Sequence, residues 1–144
     1  MLASAVFTKM LNDDALTDMV ATIDGMPAIF QTWAEPDSPF PYIVFRMDDS
    51  ASGHWGRRVF TLYVDVWDYN EGGHPGTTKN ISKRIVELFD RQRLTHPDFK
   101  AIRCNLDTRG MVPEDTSGII HMAHQFSVIA WRQGFIENLL RSDE

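Results

Sequence analysis

The chain has 144 residues, of which 43% are hydrophobic and 24% charged, so it is long enough to fold as one domain, 1–144, around a buried core. Its 14 basic and 20 acidic side chains leave a net charge of −6, which argues against a protein that reads nucleic-acid sequence. Cys104 is the single cysteine, so no disulfide forms within the chain. No apolar run approaches the roughly 18 to 20 residues that span a bilayer, and the first residues lack the basic segment of a signal peptide. We therefore expect synthesis in the cytoplasm and no membrane partner.

The first part of the chain combines short helices with a proline-rich connection. Apolar residues at helical spacing predict a helix over residues 3–11. Asn12 or Asp13 then caps a second short helix, which carries apolar residues between positions 15 and 20. A short strand is predicted over residues 28–33. Three prolines between residues 36 and 41 next impose an extended connection.

The strand over residues 58–67 organises the rest of the fold, because it is rich in β-branched and aromatic residues and contains no glycine or proline. Its period of two separates a hydrocarbon face from a mixed face. The hydrocarbon face suits burial under helices and consists of Phe60, Leu62, Val64 and Val66. The mixed face includes Tyr63, Asp65 and Trp67, which suits a surface that meets water or another protein.

A preceding strand, residues 42–47, connects to this one through a long hairpin tip over residues 48–57. Trp55 lies in that tip, where a tryptophan can fold back on its own domain or anchor a partner. We expect a Trp55→Ala variant to keep the fold and to weaken assembly.

The second half of the chain begins with a helix. Thr77 or Thr78 caps this helix, which runs to about residue 93 and docks on the hydrocarbon face. Strands over residues 100–106 and 119–131 follow, with a polar loop between them over residues 107–118. The C-terminal tail, residues 133–144, contains a candidate for a short amphipathic helix.

These elements predict an α+β (mixed α/β) fold with a single, mostly antiparallel sheet of four to five strands and with helices packed on one face. The helix crossover between the third and fourth strands is the one connection that could make a strand pair parallel. No internal repeat or linker interrupts the chain, in agreement with a single domain.

The residue types that carry chemistry do not converge in this sequence. His121 and His124, three apart on a strand, face opposite sides, and the other three histidines lie in separate loops. We expect His124 to be hydrogen-bonded in the core or at an interface. Asp65 and Asp68 also face opposite sides, and Cys104 has no catalytic motif around it. The sequence therefore predicts no enzyme, no cofactor and no metal site.

The turn over residues 72–79 keeps one small-ligand alternative open. It is rich in glycine, follows a strand and opens a helix, which is the setting of a phosphate-binding loop. Its lysine does not directly follow the last glycine, as a Walker motif requires, and Pro75 removes a backbone donor. We interpret the segment as a helix-opening turn, with a small phosphate-binding enzyme or module as the outside alternative.

The order of elements and several short stretches resemble the tail terminator, or tail completion, proteins of long-tailed phages and phage-derived particles. The resembling stretches are residues 11–20, 28–30, 41–45, 60–68 and 127–131. The resemblance covers about residues 5–132 and rests on patterns of residue type, with the C-terminal tail outside it. It implies a hexameric ring on the head-proximal end of the tail tube. There the ring stops tube growth and meets the head-completion proteins, with no cofactor and no enzymatic activity.

The resemblance also suggests where such a subunit makes its contacts. The hairpin tip and the polar loop are candidates for contacts with the tube or with neighbouring subunits, and the mixed strand face is a candidate for contacts with sister copies. The candidate interaction residues are Asp48, Asp49, His54, Trp55, Arg57, Tyr63, Asp65, Trp67, Glu114 and Asp115.

Another connector or neck component of a virion is the nearest alternative, because such proteins share this size and mixed composition. In a ring of six, the charge of the copies sums to about −36, so an acidic lumen could let DNA slide through without specific binding. The expected location is the head–tail interface of a virion tail, after synthesis in the cytoplasm of a host bacterium.

Overall fold

A computed structural model of the protein describes residues 2–50 and 56–132. The helices in these ranges are α1 (Ala3–Leu11), α2 (Asp14–Thr17) and α3 (Gly76–Phe89). The strands in these ranges are β1 (Thr22–Ile23), β2 (Met26–Pro27), β3 (Ile29–Gln31), β4 (Tyr42–Ser50), β5 (Arg57–Tyr69), β6 (Arg93–His96), β7 (Phe99–Val112) and β8 (Ile119–Arg132). His54, Trp55 and the C-terminal tail lie outside the described residues, so their predicted roles stay predictions.

The main sheet has six strands in the order β3-β4-β5-β8-β7-β6, and β1 and β2 form a separate small hairpin. The mixed α+β class is confirmed, but the predicted four to five strands are too few. Strand β6 was missed because α3 ends at Phe89 rather than near residue 93. The chain reverses at Arg91, whose φ is +58°, and the Arg91 N–H then bonds to the Cys104 carbonyl. This reversal lays Arg93–His96 against β7 as an edge strand.

The parallel pair also differs from the expectation. The helix crossover leads from β5 to β6 at the far edge, where β6 pairs antiparallel with β7. The parallel neighbours are instead β3 and β4, which the proline-rich connection joins. That connection is ten residues long, from position 32 to position 41, and it contains bends and a turn instead of the uniformly extended chain predicted, with positive φ at Thr32 and Asp37. It returns the chain to the same end of the sheet without a helix.

Only the second half of the predicted polar loop over residues 107–118 is a loop, because β7 continues to Val112. The register shifts between Leu106 and Thr108, so Asp107 lies at a β-bulge, and its carboxylate accepts a hydrogen bond from Ser127 Oγ at 2.5 Å. Beyond the bulge the strand is exposed. It therefore lacks the alternation of apolar and polar residues that marks a half-buried strand.

The core lies between the helices and one face of the main sheet. The hydrocarbon face of β5 is buried as predicted, with Leu62, Val64 and Val66 at 0% exposure. Helix α3 packs across β5, β8 and β7, while α1 contacts both edge strands, β3 and β6. The sheet therefore curls around the helices, and the outer sides of its two edges face away from each other. We call the sheet side that is turned away from the helices the outer face.

The N-termini of α2 and α3 are capped by different kinds of residue. Asp13 is the N-cap of α2, as predicted, and its carboxylate accepts the Leu16 N–H at 2.9 Å. The same carboxylate receives two hydrogen bonds from the Arg84 guanidinium, at 2.5 and 2.8 Å, which ties α2 to α3. The prediction that Thr77 or Thr78 caps α3 is wrong, because the N-cap is Pro75 and Thr78 is buried in the first turn.

Candidate interaction surface

The outer face is built from straight rows of side chains that run across the strands. Tyr63, Asp65 and Trp67 of β5 all point to this face, and each is half-buried. In the register of the sheet, Trp67 stands between Tyr42 of β4 and His121 of β8. The sequence therefore identified the mixed face of the central strand, and the strand register supplies the neighbours that extend it.

His121 is the centre of a charged cluster at one end of the outer face. Its ring stacks on Trp67 with 3.8 Å between ring centroids and 13° between planes. Its Nδ1 lies 2.8 Å from Glu114 Oε1, and its Nε2 lies 3.6 Å from Asp65 Oδ2. Burial alone lowers the pKa of His121, but the two carboxylates outweigh it and raise the pKa above its ordinary value.

The two nitrogens of His121 point to different carboxylates, so these side chains diverge from the ring instead of converging on a shared ion. Among the described residues, no group of three or more histidine, cysteine or acidic side chains could hold a metal ion. The cluster holds the His121 ring between two carboxylates, which favour its protonated form. It holds Glu114, which follows β7, at this end of the outer face.

Aromatic side chains that the sequence did not predict as interaction residues cover the same end of the outer face. Phe40 stacks on Tyr42 with 5.3 Å between ring centroids, and Phe30 meets Tyr42 edge-on at 6.1 Å. Tyr69 lies 6.2 Å from Phe40. Tyr69 is 47% exposed and Phe40 39% exposed, while burial raises the pKa of Tyr42. The signal that could have found them is the period of two, which places Tyr69 on the face of Trp67.

The hairpin candidates divide between the two sides of the sheet. Asp48 lies on the outer face and accepts a hydrogen bond from Arg46 at 2.6 Å. The guanidinium of Arg46 lies 3.9 Å above the centre of the Tyr63 ring. Asp49 lies on the helix side and pairs with Arg58. The structure therefore brings Asp48 and Tyr63 together on one surface and separates Asp49 from them.

A second group of outer-face residues lies at the opposite end of the sheet, and we call it the basic corner. It consists of Arg57, Arg93, Lys100, Arg103 and Trp131. Arg57 and Lys100 flank Trp131 on the neighbouring strands, and Arg103 stands directly opposite Arg93. Arg93, Arg103 and Trp131, with Ala101 and Ile129, line a shallow hollow of about 310 Å³. Of these five residues, the sequence predicted only Arg57, because the others come together through strand pairing between distant segments.

Two titratable groups on the helix side, His124 and Cys104, belong to the core. His124 Nδ1 lies 2.9 Å from the Val64 carbonyl oxygen and its Nε2 lies 2.6 Å from Ser82 Oγ, so the prediction of a hydrogen-bonded core histidine is confirmed. Because a carbonyl only accepts, Nδ1 donates to it and the neutral ring accepts from Ser82 at Nε2. Burial lowers the pKa of His124, which favours its neutral ring, and raises the pKa of Cys104 to about 12, so the thiol stays protonated at neutral pH.

The glycine-rich turn offers no sign of a phosphate site. Helix α3 begins at Gly76 with Pro75 as its N-cap, and Pro75 has no N–H to donate. Thr78 Oγ1 points to Asp68 Oδ2 at 3.4 Å, which places a carboxylate at the start of the helix. Asp68 thus faces α3 while Asp65 faces His121, so the two carboxylates lie on opposite sides as predicted.

Within the described parts of the chain, no helix is long and apolar enough to cross a membrane.

Comparisons with known proteins give a likeness in structure only. No protein family and no curated protein matches the sequence. Among solved structures, a chain from the virion of a native gene transfer agent particle matches with a TM-score of 0.71 at 14% identity, over 90% of this chain and 94% of that one. The likeness is one of fold. A second solved chain, which carries no functional description, matches with a TM-score of 0.58 at 10% identity, over 89% of this chain and 94% of that one.

Proposed function

We propose that this protein is a structural subunit of a phage-type virion. In this proposal it forms a ring on the head-proximal end of the tail tube, ends tube growth there and offers a joining surface to the head-completion or neck proteins. The observation that carries the proposal is the fold, which is shared along nearly the whole of both chains with a component of a gene transfer agent virion. Fold alone does not define function, so the surface must support the role independently.

The outer face supports a role in assembly. It presents large aromatic side chains with a charged rim, and in the described residues no helix covers it. Aromatic and arginine side chains are enriched at protein interfaces and supply much of their binding energy. The exposed rings of Phe40, Tyr69 and Trp131 therefore suit contacts with other protein chains.

The chemistry of the interior supports a structural role over a catalytic one. The buried titratable groups are used in packing: His124 bridges β5, β8 and α3, and Cys104 is a buried thiol with a raised pKa. In the cluster around His121, the carboxylates of Asp65 and Glu114 are paired with the imidazole ring.

Ser82 Oγ and His124 Nε2 form a hydroxyl–imidazole pair at 2.6 Å, and Ser82 lines a hollow of about 420 Å³. Both side chains are buried, however, and the other ring nitrogen of His124 bonds to the Val64 carbonyl and not to a carboxylate, so the pair lacks the third group of a catalytic triad.

The proposed partners follow from the position at the tube end. They are sister copies in a ring, with six as the expected number, the tail tube protein on one side and the head-completion or neck proteins on the other. DNA passes through the lumen without specific binding, in keeping with a net charge of −6 for each copy. The proposed location is the head–tail interface of a virion.

Growth of the tail tube in vitro tests this proposal. The tube protein that accompanies this chain is polymerised with increasing amounts of the purified protein, and tube lengths are measured by negative-stain electron microscopy. The proposal predicts shorter tubes with a cap on one end. Unchanged lengths with the protein absent from tube ends contradict it, and binding to ends without arrest of growth indicates a connector or neck component instead.

A further inference from the structure

In the described ranges, residues 2–50 and 56–132, the basic corner is electrostatically unsatisfied. Its four cations, Arg57, Arg93, Lys100 and Arg103, have no carboxylate partner among the residues that the structure describes, although the chain as a whole is acidic. Arg93 and Arg103 stand directly opposite each other on paired strands, and like charges in that position repel. An anionic partner would relieve this repulsion. Trp131, 38% exposed in the middle of the cations, adds an aromatic anchor.

The opposite end of the outer face has complementary chemistry, and we call it the acidic–aromatic end. It consists of Phe40, Tyr69, Glu114 and Asp115. Asp115 is exposed in the loop between β7 and β8. A Cβ atom on Gly118 would lie 2.7 Å from the Tyr69 ring, so the ring packs directly on the backbone of this loop. The Asn70 N–H also bonds to the Gly118 carbonyl at 2.8 Å, which holds Tyr69 beside the acidic loop.

The two ends cannot meet within one molecule. Trp131 lies twelve positions after Ile119 in β8, and at about 3.3 Å per residue the strand separates them by about 40 Å. A contact between the basic corner and the acidic–aromatic end must therefore join two copies. Such a contact uses a different patch on each copy, and repetition of it gives a ring if the rotation closes and a filament if it does not.

We propose that the basic corner of one copy receives the acidic–aromatic end of a second copy, head to tail. This inference rests on the proposed function and names the surfaces through which the ring closes. In the contact, the exposed carboxylate of Asp115 faces the cations of the corner, while Glu114 beside it stays paired with His121. The exposed rings of Tyr69 and Phe40 offer flat surfaces on which arginine guanidinium groups stack.

Charge exchange between two variants tests the inference. Arg103→Glu and Asp115→Lys each place like charges in the proposed contact, and sedimentation velocity over a concentration series measures self-association. Each variant alone is expected to lose about tenfold or more in association constant. An equimolar mixture is expected to recover assembly, because Asp115 of the first variant meets Arg103 of the second and Lys at 115 meets Glu at 103. Lys83→Glu is the control for net charge, because Lys83 lies on α3, away from both ends.

Thermal unfolding of each variant checks that loss of assembly is not loss of folding. The inference is overturned if the single variants assemble like the wild type, if the mixture fails to recover, or if the wild type stays monomeric at every concentration and in the presence of tube protein. The inference is also overturned if Arg103→Glu loses DNA binding but keeps self-association, because the corner would then bind the phosphates of DNA. A ring that depends on these residues but does not arrest tube growth leaves the inference standing and refutes the proposed function.

Discussion

The cluster around His121 gives a prediction in which a pKa shift becomes a change in stability. We consider the substitution His121→Gln, which removes the titratable ring and its stacking on Trp67. The pKa of His121 is raised in the folded protein, so folding favours the protonated ring. Its stabilising contribution is therefore complete below the unfolded pKa of 6.5 and is lost as the pH rises through the folded pKa.

The size of the effect follows from the contacts. The hydrogen bond to Glu114 at 2.8 Å involves a charged group on each side, while Asp65 at 3.6 Å contributes by charge alone. Hydrogen bonds to charged groups contribute about 1.5 to 3 kcal/mol, and burial of the ring opposes this. Since the two carboxylate side chains are 27% and 34% exposed, we expect about 1 to 2 kcal/mol of pH-dependent stability. Loss of the stacking on Trp67 adds a further cost, which is also larger for the protonated ring because a cation is attracted to the face of the indole.

Urea unfolding followed by tryptophan fluorescence measures this difference between about pH 5.5 and pH 8.5. The stability advantage of the wild type over His121→Gln is expected to be largest at the acidic end and to shrink towards the alkaline end. The same change at the exposed His74 is the control for the loss of a histidine outside this cluster. His124 titrates in the opposite sense, but it is present in both proteins and largely cancels. A difference that is flat or grows with pH refutes the arrangement around His121.

Three further predictions concern the core and the helix side. Leu62→Ala, at a fully buried position, should lower the free energy of unfolding by about 2 to 5 kcal/mol in urea, and a loss below about 1 kcal/mol would contradict its place in the core. Ser82→Ala leaves the Nε2 of His124 without its partner and should cost about 1 to 3 kcal/mol, whereas no change would mean that the ring finds another donor. Arg84 holds the pKa of Asp13 below its ordinary value of 3.8, so Asp13→Asn should destabilise the protein at neutral pH and lose this effect as the pH falls below about 3.8. Acid unfolding curves that run parallel for the two proteins would contradict the pairing.

The sequence correctly predicted those elements whose own residues alternate between apolar and polar at a helix or strand period. The alternation along β5 correctly assigned Leu62 to the core and Trp67 to the other side, because a half-buried strand needs no information from elsewhere. Helix α1 and the Asp13 cap were predicted for the same reason. Strand β6 and the second half of β7 could not be found in this way, since one has a single buried residue and the other is exposed.

The interaction surface was predictable only in part. Glu114 and Trp67 were identified as candidates, but their link through His121 depends on the pairing of β5 with β8 and on the path of the loop after β7. The basic corner depends on the same kind of long-range pairing, because Arg93 and Arg103 face each other only after the chain reverses behind α3. Long-range register is set by the whole sheet, and a single segment does not encode it.

The central claim is that the chain buries one face of its curled sheet under helices and uses the other face for sister copies at the tube end. Cryo-electron microscopy of the protein bound to its tail tube tests this most directly. We predict a ring on one end of the tube, in which Trp131 of each copy lies against the acidic–aromatic end of the next. A ring whose copies touch through α1 and α3, with the outer face left open to solvent, would contradict the claim.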